Sequence, residues 1–148
     1  MIIDDRSLST NSVDDDNFWN NKIHYILIFN RYGICLFSLN LSNIYSIDEN
    51  LISAFCSALI SFSEEMIGNR VKTIEMGDKI LSLIQNGCLF TGVLHEFIHS
   101  STYVETKIKQ INNIFQEYLE INKVNQRSQY IHDNQLNNKI RLITFLFV

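Results

Sequence analysis

The 148-residue chain has no proline, five glycines, three cysteines and a single tryptophan. Without proline there is no stiff Pro-rich linker to separate domains, and no position is barred from helix or sheet for want of an N–H. Cys35, Cys56 and Cys88 are odd in number, far apart, and each lies within an apolar run. That arrangement argues against a disulfide scaffold or a Cys-type zinc site and predicts buried, reduced thiols. Charge is also scarce. Only 19% of residues are charged, and 12 basic residues stand against 16 acidic ones, a net charge of −4. A general nucleic-acid binder needs clustered Lys and Arg to displace phosphate counterions, so that class is excluded. No apolar run approaches the roughly 20 residues that span a bilayer, so no integral membrane segment is expected. The opening MIIDDRSLST has neither a basic n-region nor an apolar h-region, which reads as the absence of a secretory signal. The expected location is cytoplasmic, peripheral to membranes through partners.

Hydrophobic residues make up 46% of the chain, enough at this length for one domain with a real core. Residues 1–22 form a flexible N-terminal segment rich in Asp, Ser and Asn, with Val13, Phe18 and Trp19 as isolated exceptions. Its run Asp14-Asp15-Asp16 reads as a solvated tail, because cation loops space their ligands around a turn. Ile23 to Asn30 and Ile34 to Leu39 are rich in β-formers and flank the turn Arg31-Tyr32-Gly33, predicting a hairpin. Residues 40–46 are a polar linker.

Ile47 to Gly68 carries the clearest helical period in the chain. Leu51, Ala54, Phe55, Ala58, Leu59, Phe62 and Met66 fall on one broad face, the pattern of a helix packed on a sheet. Asp48, Glu49 and Asn50 suit its first turn, and Gly68 suits a left-handed C-cap. A meander follows: Arg70 to Met76, Lys79 to Ile84 and Cys88 to His95, joined at Gly77-Asp78 and at the hairpin signal Asn86-Gly87. A second helix is predicted from about Ser101-Thr102, where Thr102 and Glu105 form a capping box. Val104, Ile108, Ile111, Phe115 and Tyr118 mark its core stripe, and it fades near Asn122. Residues 123–137 read as a loop or mobile arm. Lys139 to Val148, KIRLITFLFV, reads as a strand that adds to this sheet, pairs with a partner, or opens a further domain. The fold class is therefore α/β (α+β). The order is β-β-α-β-β-β-α around a five-stranded antiparallel sheet, with both helices on one face and an extra C-terminal strand.

One motif points to chemistry. His95-Glu96-Phe97-Ile98-His99 matches H-E-x-x-H, which on a helix aligns two imidazoles for zinc beside a glutamate general base. Glu117 or Glu120 would supply the further carboxylate of a small zinc metallopeptidase. Context opposes this, since the motif begins where a strand leaves an Asn-Gly hairpin and the next helix has its own cap at Thr102. A strand end and connecting loop is the preferred reading. His24 and His132 read as polar-face or surface histidines. There is no glycine-rich phosphate loop and no nucleophile-elbow context.

The segments ILIFNRYGICLFSL, LISAFCSALISFSEE, RVKTIEMGDKILSLIQNGCLFTGVL and TYVETKIKQINNIFQEYLE together resemble the longin and roadblock-like superfamily. These are profilin-like modules of vesicle-trafficking proteins and small-GTPase regulators. The likeness is nearest to longin domains of nucleotide-exchange complexes and covers residues 23–121; residues 1–22 and 122–148 lie outside it. It implies a non-enzymatic interaction module without cofactor, whose partners are a small GTPase or another longin or roadblock-like domain, including a homodimer. The surfaces it implies are the second strand and the first helix. On that helix Ser53, Ser57 and Ser61 form a stripe of small residues, with Cys56 and Ile60 extending the apolar arc. The alternative is a solvated serine face. With Ile34, Leu36 and Ser38 of the strand edge, these residues make up the expected interface.

Overall fold

The computed structural model describes residues 23–42, 46–97, 101–123 and 130–145, the side chains of Ser101 and Phe145 excepted. The first strand, β1 (Ile23–Asn30), is buried along its whole length. It is an inner strand, paired antiparallel with β2 (Cys35–Asn40) on one side and with β5 (Leu89–Glu96) on the other. β5 pairs with β4 (Lys79–Asn86), and β4 with the short β3 (Thr73–Met76), so the sheet order is β2-β1-β5-β4-β3. The β1–β2 turn is tied by Asn30, whose Oδ1 accepts from the backbone N–H of Tyr32 at 2.9 Å and of Ile34 at 3.1 Å. Gly33 in that turn has φ 83°, the left-handed conformation that glycine adopts without strain.

Strand side chains alternate between two cores, one on each face of the sheet. Ile26 and Ile28 of β1 join Val93, Leu36 and Phe37 in the first core, while Leu27 and Phe29 join Leu81, Leu83, Phe90 and Leu94 in the second. Helix α1 (Glu49–Ile67) covers the second core through Cys56 and Ile60. Helix α2 (Ser101–Asn122) covers the first through Val104, Ile108, Ile111, Phe115 and Leu119. The helices therefore lie on opposite faces, not on one as the sequence suggests. A sheet whose central strand is apolar on both sides needs a cover on both.

The C-terminal region also departs from expectation. Lys139 to Phe145 is not a strand. Residues Asn134–Phe145 form a third helix, α3, which packs Leu136 and Ile140 into the first core beside α2. Asp133 caps it: Oδ1 accepts from the N–H of Gln135 at 2.8 Å and of Leu136 at 3.2 Å, satisfying two of its orphan donors. The β-rich look of Arg141 to Phe145 is overridden by tertiary packing, since Leu136, Ile140 and Thr144 meet α2 only at helical spacing. Lys107 reinforces the join; its side chain is 2% exposed and Nζ donates to the Ile143 carbonyl at 3.0 Å, in the last turn of α3. Residues 146–148 lie outside the described residues.

Gly92 in β5 makes room for the second core. A Cβ there would stand 3.1 Å from Cδ2 of both Leu27 and Leu83. Gly92→Val is expected to destabilise the fold by about 2 kcal/mol through overpacking, read as a lower urea midpoint at unchanged m-value.

Candidate functional site

The face that α1 turns to the sheet is the one with small residues. Ser53, Cys56, Ser57, Ile60 and Ser63 are its buried positions. Most of the bulk at this contact comes from below, from Tyr25, Leu27, Phe29, Leu81, Leu83 and Phe90, and Ile60 is the one large side chain among the buried positions of α1. The approach is close enough that a Cβ on Gly33 would lie 3.1 Å from Ala54 Cα. The serines are tied down there. Ser57 Oγ donates to the Arg31 carbonyl at 2.6 Å, and Ser63 Oγ donates to the Ile60 carbonyl at 2.9 Å while accepting from the Val71 N–H at 2.9 Å. Asp48 closes the N-terminus of α1, accepting from the N–H of Asn50 and Leu51, and Gly68 at φ 80° closes the C-terminus.

The expected surface on α1 is thus turned over. Ser53, Cys56, Ser57 and Ile60 point into the sheet, and of the stripe only Ser61 is exposed. The side chains expected in the core face outward instead: Leu51 is 71% exposed, Phe55 52%, Phe62 59% and Met66 68%. Ile67, in the last turn, is exposed as well, but at the angular position of Ile60 and Ser63 and not on this stripe. Spacings of four, seven and four residues place Leu51, Phe55, Phe62 and Met66 on one stripe along the helix. Contiguous apolar patches of more than a few hundred Å² are uncommon on monomeric proteins and mark interaction sites.

On the expected strand edge, Ile34 precedes β2 and is exposed, Leu36 is fully buried, and Ser38 is half-buried. That edge is occupied within the chain. The N–H of Ile131 donates to the Leu36 carbonyl at 2.8 Å. The Tyr130 hydroxyl lies 2.8 Å from Ser38 Oγ and donates to the Ser38 carbonyl at 3.2 Å. Part of the region read as a mobile arm is therefore fixed, as a strap along β2 and as the start of α3.

A second apolar cleft lies between α2 and α3, lined by Ile114, Tyr118, Ile121, Leu136 and Leu142. Glu117, Asp133 and Lys139 interrupt it.

His95 and Glu96 close strand β5, so the H-E-x-x-H segment does not begin as a helix. Ile98 and His99 lie outside the described residues. His95 Nδ1 is 2.6 Å from the Glu96 carbonyl, which can only accept, so Nδ1 carries the proton and Nε2 accepts from Ser82 Oγ at 2.8 Å. Burial holds the His95 pKa below its usual value. Glu96 reaches across to β1, where His24 Nε2 donates to its carboxylate at 3.1 Å. Glu117 and Glu120 sit in the second half of α2. Among the described residues no group of three or more His, Cys, Asp or Glu side chains is placed to hold a metal ion, and no helix is long and apolar enough to cross a membrane.

The thiols follow burial. Cys35 and Cys56 are buried and Cys88 is exposed. Loss of hydration pushes the thiol pKa of Cys35 and of Cys56 up to about 11 from 9.0, and the Tyr25 phenol to about 12 from 10.0. In each case the folded state favours the neutral form. The stabilisation is complete below the unfolded-state value and is lost as pH rises through the folded one. Urea midpoints should accordingly hold up to pH 9.0 and fall between there and about 12. At pH 8 a thiol reagent should label Cys88 rapidly and the other two only on unfolding.

No protein-family model matches the chain, and no curated protein matches it. Solved structures do. A roadblock/LC7 domain from Streptomyces avermitilis superposes with a TM-score of 0.53 at 13% identity, over 67% of this chain and 87% of that one. MglB of Myxococcus xanthus superposes with a TM-score of 0.53 at 16% identity, over 68% of this chain and 88% of its own. At these identities the likeness establishes the fold.

Proposed function

We infer the function of the chain from its roadblock/longin-like fold, a five-stranded antiparallel sheet between α1 and the α2–α3 pair. We propose that the chain is a non-enzymatic protein-interaction module of small-GTPase regulation, of the kind that serves vesicle trafficking, and that it docks through the outward face of α1 and the β2 edge. The observation that carries this reading is the stripe Leu51, Phe55, Phe62 and Met66, large apolar side chains held in water on a helix that buries Ser53, Cys56, Ser57 and Ser63. Interface cores draw on aromatic and methionine side chains of this kind. The occupant we assign to the α1 face is a second roadblock/longin-like domain, in the first instance another copy of this chain. A self-complementary stripe along a helix suits a two-fold pair in which the same patch meets itself. A small GTPase would then be recognised by the pair.

The partner half of this reading is tested with purified small GTPases loaded with GDP or a non-hydrolysable GTP analogue and titrated against the wild-type chain and Phe55→Asp/Phe62→Asp. Binding of at least one GTPase, weakened tenfold or more by the double substitution, is the expected result. Equal binding to both proteins would remove α1 from the recognition surface. A zinc-hydrolase reading has no geometric support at His95 and Glu96, which belong to a strand.

A further inference from the structure

The strap at Tyr130–Ile131 behaves as a two-residue strand. Tyr130 packs on the α1 side of the sheet and Ile131 on the α2 side, the alternation of consecutive residues in a β-strand. The Ile131 N–H takes the outward-pointing Leu36 carbonyl, and the Tyr130 hydroxyl takes the Ser38 carbonyl two residues along β2. Where a neighbouring strand would use its own main chain at both places, the strap uses one backbone N–H and one side-chain hydroxyl. Among the described residues, Tyr130 and Ile131 meet this six-residue edge at the carbonyls of Leu36 and Ser38.

The strap can leave without dismantling α3. Asp133 caps that helix with its own side chain and accepts from the Tyr118 hydroxyl of α2 at 2.9 Å. Leu136 and Ile140 hold α3 in the first core, and Lys107 holds its last turn. Ile131 shares the first core with Leu136 and Ile140, but the Asp133 cap, the Tyr118–Asp133 bond and the Lys107–Ile143 bond do not involve Tyr130 or Ile131. Opening would uncover one aliphatic position on the α2 side, one aromatic position on the α1 side, and the outward carbonyls of Leu36 and Ser38.

We propose that the β2 edge is a strand-addition site gated in cis by Tyr130–Ile131. The partner is an extended peptide segment of another protein with an aromatic residue followed by an aliphatic one, which replaces the strap and extends the ladder. This rests on the reading of the chain as an interaction module and adds its regulation, because the edge is closed until the strap is displaced. Main-chain hydrogen bonds would supply affinity, and the two side-chain positions specificity.

The test uses the full chain and a synthetic peptide copying residues 128–134, SQYIHDN. In native-state hydrogen exchange of the wild type, the Ile131 amide should exchange through local opening, with protection at least about 100-fold below that of the Ile26 and Leu27 amides. Exchange of Ile131 only together with β1, by global unfolding, would overturn the proposal. In Tyr130→Ala/Ile131→Ser, with a native near-UV spectrum, the peptide should bind at least tenfold more tightly than to wild type. A peptide N-methylated at its isoleucine should not bind. Equal binding to variant and wild type, or equal binding of the N-methylated peptide, would also overturn it. If the double variant fails to fold, Tyr130→Phe serves: loss of the hydroxyl alone should raise the Ile131 exchange rate at least threefold, and an unchanged rate contradicts gating. Phe55→Asp/Phe62→Asp should leave these readouts unchanged, so failure at the strap and failure at α1 are separate results.

Discussion

Ser57→Leu is expected to lower stability by about 3 kcal/mol, seen as a fall of about 10 °C in the thermal midpoint of a domain this size. A surface serine stripe would predict almost no change. The cost arises because Ser57 stands over the β1–β2 turn, with its Oγ on the Arg31 carbonyl at 2.6 Å. Its Cβ lies 3.5 Å from where a Cβ on Gly33 would be. Leucine removes the hydrogen bond, worth about 1 kcal/mol, and forces added methyl groups into a contact already at packing distance. The helix would have to lift from Tyr25, Leu27 and Phe29, the side chains it covers on that face. Phe62→Ser, further along the helix but outward, is the control. With a 59% exposed side chain it should change the thermal midpoint of dilute protein by less than about 2 °C. A small effect of Ser57→Leu together with a large effect of Phe62→Ser would mean that α1 lies the other way up.

The second large effect is on association. Phe55→Asp/Phe62→Asp places two carboxylates on the outward stripe without touching the core. It should weaken self-association at least 100-fold while leaving the circular dichroism spectrum and the monomer's urea midpoint unchanged. Aromatic anchors at the centre of an interface commonly cost about 2 kcal/mol or more each when removed, and about 2.7 kcal/mol corresponds to that factor. Burying a carboxylate opposite an apolar partner adds to the loss. Glu65→Gln, exposed on the same helix outside the apolar stripe, should have little effect.

Much of this architecture is legible in the sequence because it is written in local chemistry. Gly33, Gly68, Gly77 and Gly87 all adopt positive φ at the joints where turn residues call for it. Every predicted strand of the hairpin and the meander is present, with ends displaced by up to three residues. The orientation of α1 is not legible in the same way. Its wheel carries two stripes, one bulky and apolar, the other small and hydroxylated. The usual rule buries the bulky one. Here the sheet supplies the volume, and the large side chains face outward. Ser53, Cys56, Ser57 and Ile60, expected on an exposed surface, are all buried beneath the helix. Nor does local sequence show which face of the sheet each helix takes, although the unbroken apolar run of β1 implies two covered faces.

The C-terminal helix illustrates a different limit. Arg141 to Phe145 is β-branched and aromatic enough to read as a strand. The signals for helix are the Asp133 cap and the spacing of Leu136, Ile140 and Thr144, which depend on α2 for their meaning. The strap is harder still to foresee. Tyr130 and Ile131 sit in a polar stretch, and their role comes from the β2 edge, 92 residues before Tyr130 at Ser38.

The central claim, that the outward face of α1 is a docking surface for a second copy of the domain, is most directly tested by the mass of the chain in solution. Sedimentation equilibrium of wild type and of Phe55→Asp/Phe62→Asp, from low micromolar to several hundred micromolar, would decide it. Wild type should move from the 17.3 kDa monomer toward twice that mass while the folded variant stays at 17.3 kDa throughout. A wild-type chain that remains monomeric across the range, or a variant that associates as strongly as wild type, would contradict the claim.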